Sequence, residues 1–203
     1  NGVSRLDPIE RVFTSFSLPE DAPRRYEREA VQALAFDADR RLWIGNRDGL
    51  EWLDPATGKR ERVGAESASE AIGAVTALQL ASNGTLWIAA SKGLSRVARN
   101  ATRVEAVARD VVSDVRSLVE ARDHSIHVGG SLGLHRVDPN AGTVEWLWRN
   151  PGKLPVTAIS EDHAGRMWLA VRGEGLVAFD PRSKQDKWLR ASEEVPEDLP
   201  QRE

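Results

Sequence analysis

Apolar and polar residues alternate along much of this chain, and the alternation comes in short, punctuated runs. From Val75 to Leu80 and from Val156 to Ser160, apolar residues take turns with small or polar ones, the period-two pattern of a strand with one buried face. A turn cluster follows, Ser82-Asn83-Gly84 in one case and Asp162-His163-Ala164-Gly165 in the other, where Gly and Asn accept the positive φ of tight hairpins. A second, denser strand comes next: Leu42-Trp43-Ile44, Leu86-Trp87-Ile88, Ile126-His127-Val128 and Met167-Trp168-Leu169. A Gly-Leu pair then opens a third strand. Three of four copies close it with Asp-Pro (Asp54-Pro55, Asp138-Pro139, Asp180-Pro181), and proline cannot donate to a ladder, so the strand stops there. A fourth, more variable strand spans Thr143 to Trp148 in one copy and Asp186 to Leu189 in another.

The runs form a repeat. Val31, Trp43 and Gly49-Leu50 recur as Val75, Trp87 and Gly93-Leu94, as Val115, His127 and Gly133-Leu134, and as Val156, Trp168 and Gly175-Leu176. Four antiparallel strands per roughly 40 residues is the unit of a β-propeller blade. The expected fold is therefore all-β, a propeller of about four and a half four-stranded blades. Its expected divisions are the outer half of a blade plus a linker at 1–30, blades at 31–70, 71–110, 111–150 and 151–190, and a polar tail at 191–203. Gly2 to Pro8 matches a third strand, so the chain reads as starting inside a blade, and the acidic tail lacks the alternation to complete it. The expectation is an excerpt of a longer propeller of the seven-bladed type, with open edges that invite self-association.

The repeated indole has a mechanical reading. Burying about 150–250 Å² per tryptophan at ~25 cal/mol/Å² is worth roughly 4–6 kcal/mol gross. Trp43, Trp87 and Trp168 are thus expected to glue blades together, against a lesser alternative of stacking a ligand. His127 in the same slot is expected as a core residue with satisfied nitrogens. Trp146 and Trp148 are expected on one face of an outermost strand, one packed on the neighbouring blade and one exposed.

Composition narrows the class. The chain has 203 residues, 40% of them hydrophobic, enough for a sizeable core. A net charge of −3 with no basic stripe argues against nucleic acid, and no apolar run approaches the ~18–20 residues that span a bilayer. The absence of cysteine excludes disulfides and thiolate metal sites and suits either cytosol or periplasm.

The stretch Val156 to Asp162, then Gly165-Arg166-Met167-Trp168-Leu169, Gly175-Leu176 and Asp180-Pro181, resembles the two-component regulator propeller repeat. Leu42-Trp43-Ile44-Gly45 and Asp48-Gly49-Leu50 are close to that family's most recognisable stretch. The resemblance runs from Gly2 to about Leu189. Departures are His127 for Trp, Ala89 for Gly45, and Val97 to Asn100 without Asp-Pro. The resemblance implies the periplasmic, ligand-sensing part of a membrane-anchored bacterial receptor, upstream of a histidine kinase or diguanylate cyclase, with an oligosaccharide or similar polar ligand.

Catalytic chemistry has little support in the sequence. His124 and His127 point to opposite sides of a strand, His163 lies in a turn, and His135 sits mid-strand. None has metal-site spacing, there is no phosphate loop or nucleophile elbow, and the recurring Asp37, Asp54, Asp138, Asp162 and Asp180 fall at turns, where capping is the ordinary role. No metal or cofactor is expected. A binding module would use loops at one propeller face, and the candidates are Tyr26, Asn46, Arg47, Asp48, Lys92, Asp114, Arg172 and Glu174, planar or charged groups that suit sugar hydroxyls. Two alternatives stand beside sensing: a propeller lyase acting on a polysaccharide or lactone, and a protein–protein scaffold.

Overall fold

The computed structural model describes residues 3–6, 13–16, 30–63, 72–101, 103–108 and 114–189. Its regular elements are strands, joined in antiparallel sheets that follow chain order. A two-stranded hairpin of β1 (Val3–Leu6) and β2 (Phe13–Phe16) comes first. The first full sheet is β3 (Ala33–Phe36), β4 (Leu42–Asn46), β5 (Gly49–Leu53) and β6 (Arg60–Arg62). The second is β7 (Val75–Leu80), β8 (Leu86–Ala90), β9 (Gly93–Val97) and β10 (Val104–Ala108). The third is β11 (Ser117–Glu120), β12 (Ile126–Gly130), β13 (Gly133–Val137) and β14 (Val144–Arg149), and the fourth is β15 (Val156–Glu161), β16 (Met167–Val171), β17 (Gly175–Asp180) and β18 (Gln185–Leu189). The first strands β3, β7, β11 and β15 lie side by side in that order, so the sheets are successive blades of a propeller.

Every blade turns from its first to its second strand in the same way. The amides of Arg40, Gly84, His124 and Gly165 each bond the carbonyl three residues back, and each of these residues has positive φ. That is a type I turn followed by a left-handed residue, the usual three-residue hairpin connection. Glycine is at ease there, whereas Arg40 and His124 carry a side chain into a costly conformation.

The core lies between blades. Trp43, Leu50 and Trp52 of the first pack on Val75, Leu86, Ile88 and Val97 of the second. Trp87, Ala89 and Leu94 meet Val115, Ile126, Val128 and Val137 of the third, and Leu134 and Trp148 meet Val156, Met167, Leu169 and Val177 of the fourth. The opening valine is the wedge in each case. A Cβ on Gly129 would lie 2.8 Å from Val156 Cγ1, so the position two after the tryptophan slot must be small.

A β-bulge corrects one expectation. Leu134 pairs with Trp148 but His135 pairs with Trp146, leaving Leu147 as the extra residue. The extra residue reverses the alternation, so Trp146 and Trp148 lie on opposite faces. Trp148 is buried against the fourth blade, while half-buried Trp146 stacks on His135 at 4.9 Å and gives its Nε1–H to the Trp148 carbonyl at 3.0 Å.

Candidate functional site

The sequence-selected binding residues sit at the face formed by the second-to-third-strand turns and the connections that enter each blade. Asn46 is buried and tied locally: it accepts the Asp48 amide at 2.8 Å and its Nδ2 donates to Glu51 Oε1 at 3.4 Å. Arg60 donates to both oxygens of the Glu51 carboxylate, which makes Asn46 part of a structural network. Asp48 lies 3.7 Å from Arg62. Asp114 accepts from Arg116 at 3.0 Å and from the Ser131 hydroxyl at 3.1 Å, closing its own blade's entry loop. Arg47, Lys92 and Arg172 are exposed, and Glu174 is half-buried beside Gly152. Tyr26 lies outside the described residues. Among the described residues the bonds of Asn46, Asp48 and Asp114 stay within one blade, so the geometry does not gather these residues into one constellation.

Side chains cross blade boundaries at the opposite face, built by the first-to-second-strand and third-to-fourth-strand turns. Glu120, the last residue of β11, accepts the Ser82 amide at 2.7 Å and its hydroxyl at 2.6 Å from the preceding blade. Glu161, the last residue of β15, accepts the Arg122 amide at 2.8 Å in the same way. Burial works to raise the Glu120 carboxyl, but the hydrogen bonds from Ser82 and His124 outweigh it and hold the group below the usual carboxylate range. The guanidinium of Arg122 continues across to the His163 carbonyl at 2.8 Å and to His163 Nδ1 at 2.9 Å.

The slot residues diverge at this face. Asp37 accepts Trp43 Nε1–H at 2.9 Å and Arg41 Nε–H at 2.8 Å, and Asp162 repeats the arrangement with Trp168 at 3.1 Å and Arg166 at 2.8 Å. In the second blade Ala81 replaces the aspartate, and Trp87 Nε1 is buried without a partner among the described residues. In the third blade the aspartate is again missing and the tryptophan is His127. Its Nε2 lies 3.3 Å from Ser125 Oγ, which donates to Asp123 at 2.5 Å, and its Nδ1 lies 3.2 Å from Met167 Sδ of the next blade. Burial lowers the pKa of His127, with only partial opposition from Asp123, so the ring is neutral at pH 7.

The boundary at an indole slot and the boundary at the imidazole slot differ in open space. Between the first two blades, where Trp43 fills the slot, the cavity is about 10 Å³. Between the third and fourth, above His127 and Met167, it is about 440 Å³, and Arg122, Arg136, Glu145, Glu161, His163 and Arg182 are among its lining residues. The sequence pattern singles out His127 as a departure, and the cleft beside it becomes visible only with the residue that faces it. A signal was present in the paired change, since the facing slot holds Leu42, Leu86 and Ile126 elsewhere and the chain's single methionine here.

Ser82 Oγ and Glu120 Oε1 both lie 3.1 Å from the same nitrogen of His124, Nδ1, whereas a nucleophilic triad needs them on opposite nitrogens. Arg122 can only donate, so His163 Nδ1 accepts and its lone pair is occupied. Among the described residues no group of three or more His, Cys, Asp or Glu has metal-site geometry.

No family model matches the chain, and no curated protein matches it. Solved structures do. The extracellular domain of a putative hybrid two-component system from B. thetaiotaomicron is similar over 95% of this chain and 26% of its own, with a TM-score of 0.70 at 21% identity. A catalytically inactive virginiamycin B lyase from Staphylococcus aureus, solved with quinupristin, is similar over 92% of this chain and 62% of its own, with a TM-score of 0.73 at 11% identity. A chain of the nidogen/laminin complex gives a TM-score of 0.63 at 12% identity. The chain spans about a quarter of the receptor domain and about three-fifths of the lyase. At these identities the likeness is one of fold, and that fold is the β-propeller.

Proposed function

We propose that this chain is the extracytoplasmic, ligand-sensing propeller module of a bacterial signal-transduction receptor, and that it binds a carbohydrate or similar polar ligand without transforming it. The observation that carries this reading is the cleft of about 440 Å³ between the third and fourth blades, lined by both polar and apolar groups, with the lone pair of its His163 Nδ1 taken by Arg122. The repeat pattern and the fold likeness to a two-component extracellular domain support the receptor context. The membrane anchor and output domain belong to the receptor as a whole, and among the described residues no helix is long and apolar enough to cross a membrane.

A lyase is the second reading, because His163 and Glu161 of one blade meet Arg122 of another at the same cleft and a lyase shares the fold. The Arg122 bond to His163 weighs against it, since a general base must accept a proton. A glycan panel read by thermal shift tests the sensing proposal. A bound ligand at 100 times its Kd raises stability by about 2.7 kcal/mol, and a panel of polysaccharide fragments with no shift at millimolar concentration would overturn it.

A further inference from the structure

We propose that the cleft between the third and fourth blades is the ligand site, made by the exchange of the repeat's tryptophan for His127, and that it takes a hydroxylated carboxylate of monosaccharide size, a hexuronate being the simplest. This rests on the sensing reading and narrows it to one place and one chemistry.

The space comes first. Three of four slots hold an indole, and the facing position is leucine or isoleucine at the other described interfaces. Where imidazole faces a thioether, His127 Nδ1 to Met167 Sδ at 3.2 Å, the boundary opens to about 440 Å³. That volume lies in the range of small-molecule sites, about 300–1,000 Å³. An apolar void of this size would collapse or destabilise the interface, whereas this one is ringed by charge.

The charge has a sign. Arg122, Arg136, Arg182 and Lys184 line the cleft against three carboxylates, Asp123, Glu145 and Glu161, and the buried histidine adds none. The guanidinium of Arg182 has no hydrogen-bond acceptor among the described residues. Arg136 bonds Asp123 at 2.7 Å and Lys184 bonds Glu145 at 3.4 Å, both as half-exposed pairs of the kind that contribute little and exchange readily. A ligand carboxylate therefore finds one unused fork and two cations that can turn to it, and guanidinium to carboxylate is the geometry that bidentate bonding favours. Glu145 and Glu161 remain as acceptors for hydroxyls, while Leu147, Met167 and Pro181 offer an apolar wall to the C–H face of a ring.

Calorimetric titration of the full chain with glucuronate and, separately, with glucose tests the assignment. Glucuronate should bind at least about tenfold more tightly than glucose, the weight of one charge-assisted bond. Arg182→Gln should remove that preference, and His127→Trp should abolish binding of both sugars while the thermal midpoint holds or rises, because the indole refills the slot. Glucuronate affinity unchanged in both variants, or a wild-type preference for glucose, would overturn the assignment. A glycan bound with no sensitivity to His127→Trp would sink the cleft and leave the sensing reading standing. Failure of every saccharide, charged or neutral, would sink both.

Discussion

Val75, which opens the second blade, sits so close to the first that a Cβ on Gly45 would lie 2.4 Å from its Cγ1. The same close approach joins Gly129 to Val156, while Ala89 takes the position facing Val115 and Ala170 takes it in the last blade. The spacing between an opening valine and the small residue after the tryptophan slot is therefore an assembly rule, each blade's valine seated on its predecessor's second strand.

Overfilling that seat should separate blades. Gly129→Val is expected to lower stability by about 1–3 kcal/mol or more, because Val156 Cγ1 and Ser117 Oγ lie within 3 Å of the new Cβ and both belong to packed strands. Urea unfolding checks the value, with Ala89→Gly as a milder comparison that removes one buried methyl.

Asp37→Ala should cost about 1–3 kcal/mol, since it leaves the buried Trp43 Nε1 without an acceptor. The molecule already contains the comparison: Trp87 Nε1 is buried unpaired because its blade has Ala81 at that position. Ala81→Asp should thus gain part of what Asp37→Ala loses, and thermal midpoints of the two variants should move in opposite directions.

His135 makes the fold acid-sensitive. It is 1% exposed, both ring nitrogens lack partners among the described residues, and burial, with Arg149 nearby, lowers its pKa to about 4. Because the native pKa lies below the unfolded value of about 6.5, the neutral ring's contribution is complete above pH 6.5 and is lost as pH falls toward 4, up to about 3 kcal/mol in all. His135→Val, which copies Val177 at the equivalent place, should flatten this dependence. Unfolding at pH 7.5 and pH 4.5 reads it directly, and equal pH slopes in the two proteins would contradict it.

Leu34 and Phe36 on β3 are 47% and 55% exposed, yet Leu78, Leu118 and Ile159 at the place of Leu34 all pack against the preceding blade. Leu176 and Leu189 on the far flank of the fourth blade are exposed as well. One flank is the complement of the other by the logic of the repeat, so the expected cover is a second copy joined head to tail or a further blade of a longer propeller. Light scattering should show association at micromolar concentration that Leu34→Lys with Phe36→Lys suppresses. A monomer throughout would contradict the second copy.

The strands, their order within each blade and the tryptophan slot were legible because strand alternation and turn residues are local signals. What joins the blades was less so. The Leu147 bulge inverts Trp146 relative to Trp148, and no residue type announces it. The Asp37–Trp43 and Glu120–Ser82 bonds link residues whose proximity depends on turn and neighbour geometry, so aspartates at turns read only as caps. The loop residues chosen from the sequence were plausible ligands for sugar hydroxyls, but Asn46 and Asp114 turn out to be tied within their own blades. The cleft beside His127 required knowing which residue faces it.

Under the sensing proposal the module holds a ligand and returns it unchanged. Mass spectrometry of a saccharide found to bind, after overnight incubation with stoichiometric protein, tests this most directly. An unaltered mass is the expected result; a cleaved or unsaturated product that disappears with His163→Ala would refute a purely sensing role.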